Sequence, residues 1–160
     1  MILWRIAAET RHYRVDDMTG GGAARNPGRW NELGQPVIYA APTIAMAVLE
    51  TSAHMRDPGL PLNRYLVRIE VPESVWNASG ELDPIALPAS WDAIPAGATS
   101  AAEGSAWIRS LSTAVLLVPS VIVPEERVAL INPTHSDAGK LRCTVVRRFD
   151  YNRVFRSAAA

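Results

Sequence analysis

The sequence predicts a single α+β domain built on a mixed or antiparallel β-sheet with a few helices. Roughly six or seven short runs rich in Val, Ile and Leu are typical of strands, whereas only two or three segments carry helix signals. Strands and helices do not alternate regularly, and no glycine-rich dinucleotide fingerprint follows a strand, so a doubly wound parallel sheet is not expected. We expect one domain over residues 1–157, with residues 158–160 as a disordered tail or cloning scar.

The strand predictions rest on alternation and on β-branched composition. Residues 65–71 alternate most clearly, with Tyr65, Val67 and Ile69 on one face and charged residues on the other. The remaining candidates are short apolar runs over residues 2–8, 36–41, 113–118, 121–123, 128–131 and 141–149.

Two segments carry clear helix signals. Thr43 opens the first, which runs to about Met55 and has Asp57-Pro58-Gly59 as its stop signal. Because this helix is apolar almost all the way round, we expect it to be buried. The pattern Ser100-Ala-Ala-Glu103 is a capping box that introduces a second, shorter helix ending near Leu111.

Two connections are rich in turn-forming residues. Residues 20–28 contain four glycines and one proline, which indicates a loop. Residues 72–98 form a long irregular segment that carries Trp76 and Trp91. Long loops of this kind are often functional lids, although surface padding is an equal alternative.

The charge balance excludes some classes of function. Lys plus Arg and Asp plus Glu both number 16, so the formal net charge is zero, and no basic block stands out. We therefore expect no direct contact with nucleic acid. Lys140 is the only lysine, and the other basic residues are arginines. Codon usage explains this bias, although forked recognition of phosphate or carboxylate is an alternative.

Cysteine and histidine usage argues against disulfide and metal chemistry. Cys143 is the only cysteine and lies in a strand-like run, which favours a structural role. The three histidines lack metal-ligand spacing, so no metal is expected. Arg5 comes too early for a signal peptide, and no apolar stretch approaches the ~20 residues of a membrane span. We expect a soluble cytoplasmic protein with no membrane association.

Glu50 is the only acid in the apolar first helix. A carboxylate in such a place needs a partner or it titrates. His54 lies four residues further on and could be that partner in a purely structural pair. Alternatively, Glu50 is held in a cleft, where it can stabilise positive charge or orient a hydroxyl.

Arg29 and Tyr39 are candidates for binding an anion and a planar ring. Arg29 follows a Gly/Pro-rich loop and precedes an aromatic residue, a setting that suits bidentate phosphate binding, although a solvated arginine is the simpler interpretation. Tyr39 lies within a strand and is either a half-buried sheet residue or a stacking surface.

Polar residues interrupt the apolar C-terminal half at two places. Ser120 stands alone between proline-ended apolar runs, without the Gly-x-Ser-x-Gly pattern of a hydrolase nucleophile. A buried serine bonded to backbone is the alternative to a functional one. Asn132 and His135 belong to a polar turn that could line a site, although turn formation alone explains Asn-Pro.

Several of these segments, taken together and in order, resemble the RES domain, which is named for its Arg, Glu and Ser. The matching residues are Arg29, Glu50 and Ser120, and the similarity covers roughly residues 3–156. The segments that carry it are Gly28-Arg29-Trp30-Asn31, Pro36-Val37-Ile38-Tyr39, Ala47-Val48-Leu49-Glu50, Val118-Pro119-Ser120, Val123-Pro124-Glu125-Glu126 and Leu130-Ile131-Asn132-Pro133-Thr134-His135.

The resemblance implies a toxin of a bacterial type II toxin–antitoxin pair with a fold similar to ADP-ribosyltransferases. Such proteins consume NAD+ as a substrate and pass ADP-ribose to phosphate, water or a protein side chain. The implied partner is a cognate antitoxin with a helix-turn-helix domain, which obstructs the NAD+ cleft. A target protein is a further candidate partner.

The resemblance also implies residue roles. Glu50 is the expected catalytic carboxylate, Arg29 holds the dinucleotide phosphates, and Ser120 orients the nicotinamide ribose or supports Glu50. The expected NAD+-binding residues are Arg29, Asn31, Tyr39, Ser120, Asn132 and His135. A neutral nicotinamide leaving group needs no general acid, so one carboxylate is sufficient for this chemistry.

Two positions depart from related patterns. Arg127 stands where the family commonly has Asn, which could alter the rim of the site. Arginine-modifying ADP-ribosyltransferases carry an acid or amide two residues before the catalytic glutamate, where this chain has Val48. Arginine is therefore a poor candidate acceptor.

Two other function classes remain open from the sequence. A catalytically silent protein of the same fold would bind its antitoxin and spare NAD+. A glycoside hydrolase would need a second carboxylate, which Glu125 or Glu126 could supply only if their loop folds over Glu50.

Overall fold

The computed structural model describes residues 1–55 and 60–155. The expected stop signal at residues 57–59 and the expected tail at residues 158–160 lie outside the described residues. The strands are β1 (Ile2–Ala8), β2 (Ile38–Ala40), β3 (Arg64–Glu70), β4 (Gly80–Glu81), β5 (Val115–Pro119), β6 (Arg127–Ile131) and β7 (Arg142–Arg148). The α-helices are α1 (Gly21–Arg25), α2 (Ile44–Ser52), α3 (Glu73–Asn77) and α4 (Ala98–Ser110), and short 3-10 turns cover Ala138–Lys140 and Tyr151–Arg153.

The strands form two sheets. The first has the order β1-β3-β7 and is antiparallel throughout, whereas the second has the order β2-β6-β5-β4 and pairs only β4 with β5 in parallel. An isolated antiparallel bridge between Trp4 and Ala41 joins β1 to the chain just after β2. The predicted α+β class with a mixed or antiparallel sheet is confirmed.

The second sheet has two apolar faces because successive side chains point to opposite sides. Ile38 and Val115 share one buried cluster with Val67 of the first sheet. On the other face, Leu116 shares a second cluster with Trp107 of α4. This alternation places the side chain of Tyr39 on the α4 side of the sheet, where it packs against the second cluster.

Helix α2 packs on the first sheet through one face only. Met46 and Ala47 are buried in a cluster with Ile6 and other residues of that sheet. Ala45 and Leu49 are exposed, so the expectation of a fully buried helix is wrong. No helix within residues 1–55 and 60–155 is long and apolar enough to cross a membrane.

Two local predictions differ from the structure for identifiable reasons. Residues 121–123 form a bend and not a strand, because the backbone N–H groups of Ile122 and Val123 donate to the Ser120 hydroxyl oxygen and not to a neighbouring strand. Helix α4 begins two residues before Ser100, with Gly97 at its N-cap, so Ser100 lies inside the first turn and is not a cap.

The two Gly/Pro-rich connections also contain regular structure. The first includes the short helix α1, and the second includes α3 and β4 before it becomes irregular. Trp76 lies in α3, where it packs against the cluster between the sheets. Trp91 lies in the irregular part and is buried with Trp107.

Candidate active site

Glu50 lies in the last turn of α2, close to the end of the second sheet at which β5 finishes. The helix begins after Thr43, whose side chain accepts a hydrogen bond from the backbone N–H of Met46 at 3.1 Å. The buried residues Met46 and Ala47 fix the helix against the first sheet. The half-buried Glu50 then reaches across to the segment that follows β5.

Ser120 follows β5 directly and is 1% exposed. Its oxygen accepts hydrogen bonds from the backbone N–H groups of Ile122 and Val123, each at 3.1 Å. Its hydroxyl proton is donated to Glu50 Oε1 at 2.6 Å. A hydroxyl has one proton and two lone pairs, so these three contacts use its full capacity. Ser120 thereby fixes the direction of the Glu50 carboxylate.

The structural pair of Glu50 with His54, one of the two alternatives from the sequence, is not formed among the residues described. His54 is exposed in the turn after α2, and no ion pair joins it to Glu50 in the part of the chain described. Glu125 and Glu126 are also exposed, in the turn after Ser120. Of these three glutamates, Glu50 is the one whose carboxylate accepts a hydroxyl hydrogen bond among the residues described.

Arg29 lies in the same electrostatic environment as Glu50. Partial burial lowers the pKa of Arg29, while the negative charges of Glu50 and Asp92 act in the opposite direction. Its Nη1 donates to the backbone oxygen of Trp91 at 2.9 Å. A guanidinium stays protonated under such perturbation, so a positive charge lies within electrostatic range of the Glu50 carboxylate.

Tyr39 is bonded to the loop that carries Arg29. Its hydroxyl donates to Asn31 Oδ1 at 2.8 Å and accepts from the backbone N–H of Trp30 at 2.9 Å. A Cβ added to Gly28 would lie 2.7 Å from Tyr39 Cζ, so the loop can approach the ring only with glycine at that position. Burial raises the pKa of Tyr39, which remains a neutral phenol.

Asn31 is 1% exposed and binds only protein groups in the described structure. Its Oδ1 accepts from the N–H of Gly28 and from the Tyr39 hydroxyl. Its Nδ2 donates to the backbone oxygens of Ala23, Glu32 and Gln35, at 2.9, 3.3 and 3.0 Å respectively. The Asn31 amide therefore links the backbone of Gly28 and the hydroxyl of Tyr39 to the backbone of residues 23, 32 and 35.

Asn132 and His135 lie at the other end of the second sheet. The backbone N–H of Asn132 donates to the oxygen of Ala114, which precedes β5, whereas Ser120 follows it. Six residues of extended chain span about 20 Å. Asn132 is fully buried and its Nδ2 donates to the backbone oxygen of Ile108. The structure does not bring Asn132 and His135 together with Glu50.

Arg127, which the sequence suggested could alter the rim of the site, reaches toward β4, the edge strand of the second sheet. Its Nε donates to Glu81 Oε1 at 2.8 Å, which ties β6 to the end of β4. The arginine thus crosses β5 at the same end of the sheet as Ser120.

Trp91 is a site residue that the sequence did not single out as functional. Its ring stacks on that of Trp30, with centroids 5.9 Å apart and an interplanar angle of 25°. Its backbone oxygen accepts the hydrogen bond from Arg29. The available signal was a tryptophan in a Pro/Gly-rich segment, but a contact made through a backbone oxygen does not depend on the residue type and cannot be predicted from the sequence.

The arrangement combines a hydroxyl-oriented carboxylate, a guanidinium and a loop-bound aromatic ring. The guanidinium suits a phosphate group, and the carboxylate suits a centre that develops positive charge. No group of three or more His, Cys, Asp or Glu that could hold a metal occurs among the residues described.

Comparison with known proteins identifies relatives along nearly the whole chain. The model of the family described as "RES domain" matches residues 2–153, which confirms the resemblance inferred from the motifs. The chain is 51% identical over 156 residues to the "Prs ADP-ribosylating toxin" of Sphingobium sp. (strain YBL2), covering 97% of each chain. It is 38% identical over 135 residues to "Toxin Res" of Yersinia enterocolitica, covering 84% of this chain and 86% of that protein.

A solved structure has a similar fold. It is the crystal structure of the M. tuberculosis MbcT–MbcA toxin–antitoxin complex, matched with a TM-score of 0.62. The similarity covers 91% of this chain and 84% of that chain at 18% sequence identity. At this identity the match supports the fold alone.

Proposed function

This chain belongs to the RES domain family, and from that premise we propose that it is a toxin that cleaves the nicotinamide–ribose bond of NAD+ and transfers ADP-ribose to an acceptor. The observation that carries the proposal is the Glu50 carboxylate, held by Ser120 at 2.6 Å in the environment of Arg29. The relative named as an ADP-ribosylating toxin supports the same activity.

The chemistry breaks one bond and forms another. The C–N bond between ribose and nicotinamide breaks, and its electron pair leaves with the nicotinamide nitrogen, which becomes neutral. The ribose carbon develops oxocarbenium-like positive charge, which the Glu50 carboxylate stabilises. The acceptor then forms a bond to that carbon and loses its proton. Losing a preorganised electrostatic group of this kind costs about 10²–10³-fold in rate.

Arg29 and Tyr39 bind the substrate in this proposal. Arg29 pairs with the pyrophosphate, where forked donation to phosphate oxygens gives both affinity and direction. The Tyr39 ring packs near the nicotinamide, since its hydroxyl is already bonded to Asn31 and Trp30 and leaves the ring as the available surface.

The acceptor is a protein side chain, phosphate or water. The name of the Sphingobium relative favours a protein acceptor. Val48, two residues before Glu50, offers no acid or amide to orient an incoming guanidinium, so we do not propose arginine. Mass spectrometry of the products, with phosphate alone and with cell lysate, distinguishes the three acceptors.

A cognate antitoxin with a helix-turn-helix domain neutralises the toxin in the cytoplasm. The fold neighbour occurs in a complex with its antitoxin, which supports a protein partner of this kind. Exposed apolar side chains flank both catalytic candidates, with Leu49 next to Glu50 and Ile122 close to Ser120. An antitoxin that covers these side chains would also close access to the carboxylate.

The test is NAD+ consumption by the purified protein and by its Glu50→Gln variant. Glutamine keeps an Oε1 acceptor for Ser120 and removes the negative charge, so we expect a folded protein with at least 100-fold slower turnover. Glu73→Gln, at an exposed position of α3, is the matched control and should retain wild-type turnover. Unchanged turnover in Glu50→Gln would refute the mechanism. A wild-type protein that spares NAD+ with phosphate and lysate present would favour the catalytically silent alternative.

A further inference from the structure

Asn31 uses every polar group of its side chain inside the protein. Its carboxamide takes part in five hydrogen bonds, two to Oδ1 and three from Nδ2, while the residue is 1% exposed. A side chain so occupied has no group left to offer a ligand. Any contribution of Asn31 to NAD+ binding must therefore pass through its neighbours.

Those neighbours enclose Arg29 on both sides along the chain. Asn31 Oδ1 binds the N–H of Gly28, the residue before Arg29. It also binds the hydroxyl of Tyr39, which accepts the N–H of Trp30, the residue after Arg29. The backbone on both sides of Arg29 is thus tied to a single pair of side chains. This fixes the direction in which the Arg29 side chain leaves the loop, and the backbone oxygen of Trp91 then holds its Nη1.

The same contacts hold the aromatic ring. Gly28 lies so close to Tyr39 that a Cβ would approach its hydroxyl oxygen to 2.7 Å. Ring and arginine loop are therefore one unit whose common member is Asn31. Glu50 and Ser120 belong to a different unit, built by α2 and by the turn after β5.

We propose that Asn31 is a positioning residue that aligns Arg29 with Tyr39, so that the phosphates and the nicotinamide end of NAD+ are bound at the same time. This inference rests on the proposed function, because it assigns Arg29 and Tyr39 to the substrate. It separates two tasks within the site. Asn31 governs substrate binding, and Ser120 governs the carboxylate that acts on the bond being broken.

The separation has a kinetic signature. In Asn31→Ser, which shortens the side chain and cannot span Gly28 and Tyr39 together, we expect the KM for NAD+ to rise about tenfold. We expect kcat to stay within about threefold, since Glu50 and Ser120 are built elsewhere. The Kd for ADP-ribose, measured by calorimetry without turnover, reports the Arg29 contact without the nicotinamide contact, so it should also rise, by no more than KM.

A double-variant comparison distinguishes positioning from a general loss of stability. If Asn31 acts through Arg29, then adding Asn31→Ser to Arg29→Ala should leave the Kd for ADP-ribose unchanged from Arg29→Ala alone. A merely structural role predicts a lower melting temperature, with the Kd of the folded protein unaltered. Additive effects on Kd, or an unchanged Kd in the single variant, would overturn the inference.

Tyr39→Phe keeps the comparison decisive if Asn31→Ser does not fold. It removes only the hydroxyl that Asn31 and Trp30 share, so it should also raise the Kd for ADP-ribose and lose that effect in the Arg29→Ala background. Wild-type protein that consumes NAD+ while both variants bind ADP-ribose normally would reject the positioning role and leave the proposed function standing. Wild-type protein that neither binds nor consumes NAD+ would instead reject the proposed function.

Discussion

Ser120 and Glu50 are 70 residues apart in the chain and are joined by a hydrogen bond of 2.6 Å from the serine hydroxyl to Oε1. The serine is oriented by two backbone N–H groups, which leave its proton no other direction. The position of the Glu50 carboxylate is therefore set by the turn after β5 as well as by the end of helix α2. Such support is what an electrostatic group needs to stabilise charge without reorganising.

The first prediction concerns Ser120→Ala. The change removes the hydrogen-bond donor to Glu50 and the acceptor for two backbone N–H groups. A polar group left buried without a partner costs about 1–3 kcal/mol. We expect the free energy of unfolding to fall by about 2–3 kcal/mol and kcat to fall by about 10–100-fold. Urea denaturation and initial rates of NAD+ loss measure the two effects.

Ser74→Ala is the control for this experiment. Ser74 is exposed in α3, so its hydroxyl is accessible to water and its loss should change stability by less than about 0.5 kcal/mol. A Ser120→Ala variant with wild-type kcat would show that the hydroxyl does not orient the carboxylate for catalysis.

The second prediction concerns Arg29→Lys. Lysine keeps the positive charge near Glu50 but lacks the planar fork and the Nη1 donor to the Trp91 oxygen. We expect the KM for NAD+ to rise about tenfold with a smaller change in kcat, measured by steady-state kinetics. Arg11→Lys, the same change at an exposed arginine, should leave both constants unchanged. Equal KM values for Arg29→Lys and wild type would contradict a forked contact.

The third prediction concerns the close packing of α4 on the arginine loop. A Cβ added to Gly104 would lie 1.9 Å from the backbone oxygen of Trp30, so Gly104→Ala forces the helix and the loop apart. We expect the free energy of unfolding to fall by about 2–4 kcal/mol and NAD+ binding to weaken, because Arg29 precedes Trp30. Thermal denaturation and calorimetry measure these effects.

Gly22→Ala is the matched control, since Gly22 is also helical and nothing lies within 4 Å of its added Cβ. It should be neutral or stabilising by up to about 1 kcal/mol. Equal stability of the two alanine variants would contradict a steric role for Gly104.

The elements that the sequence predicted well are those with a strong local period. Apolar and charged side chains alternate from Val67 to Val71, and β3 occupies nearly the same positions as the predicted strand over residues 65–71. The bend at 121–123 has equally β-branched composition, but its N–H groups bind the Ser120 hydroxyl, a contact that composition does not encode. Local patterns therefore predict the strands, whereas a side chain that captures backbone groups overrides them.

For the candidate site, too, local sequence patterns indicate some residues but not the contacts between them. Glu50 was identifiable as the one acid in an apolar helix, and Ser120 as a lone polar residue between apolar runs. Their contact depends on how α2 packs on the first sheet, which neither local pattern contains. The role of Trp91 was not predictable, since it acts through its backbone oxygen and any residue could supply that atom.

The fourth prediction concerns His135, which the resemblance makes an expected NAD+-binding residue. The structure places it beyond Asn132, at the end of the sheet opposite Ser120, where its Nδ1 accepts the N–H of Asp137. We expect His135→Ala to keep KM and kcat within about twofold of wild type, because its main contact is local. A tenfold rise in KM would show that NAD+ reaches that end of the sheet.

The fifth prediction concerns the pH dependence of stability contributed by Tyr39. Burial raises the pKa of its phenol above the ordinary value of 10.0, opposed by the smaller effects of the Trp30 N–H and the Arg29 charge. Above pH ~10 the unfolded chain loses this proton while the folded protein keeps it, so the folded state binds more protons and its stability falls as pH rises. The contribution of Tyr39 to the free energy of unfolding is therefore constant below pH ~10 and falls by up to about 1.4 kcal/mol per pH unit above it.

Tyr39→Phe has no proton to lose. The free energy of unfolding of the wild type minus that of this variant should therefore be constant below pH ~10 and fall with that slope above it. Urea denaturation at pH 9, 10 and 11 measures it. Parallel pH profiles for the two proteins would show that the phenol is not desolvated in the fold.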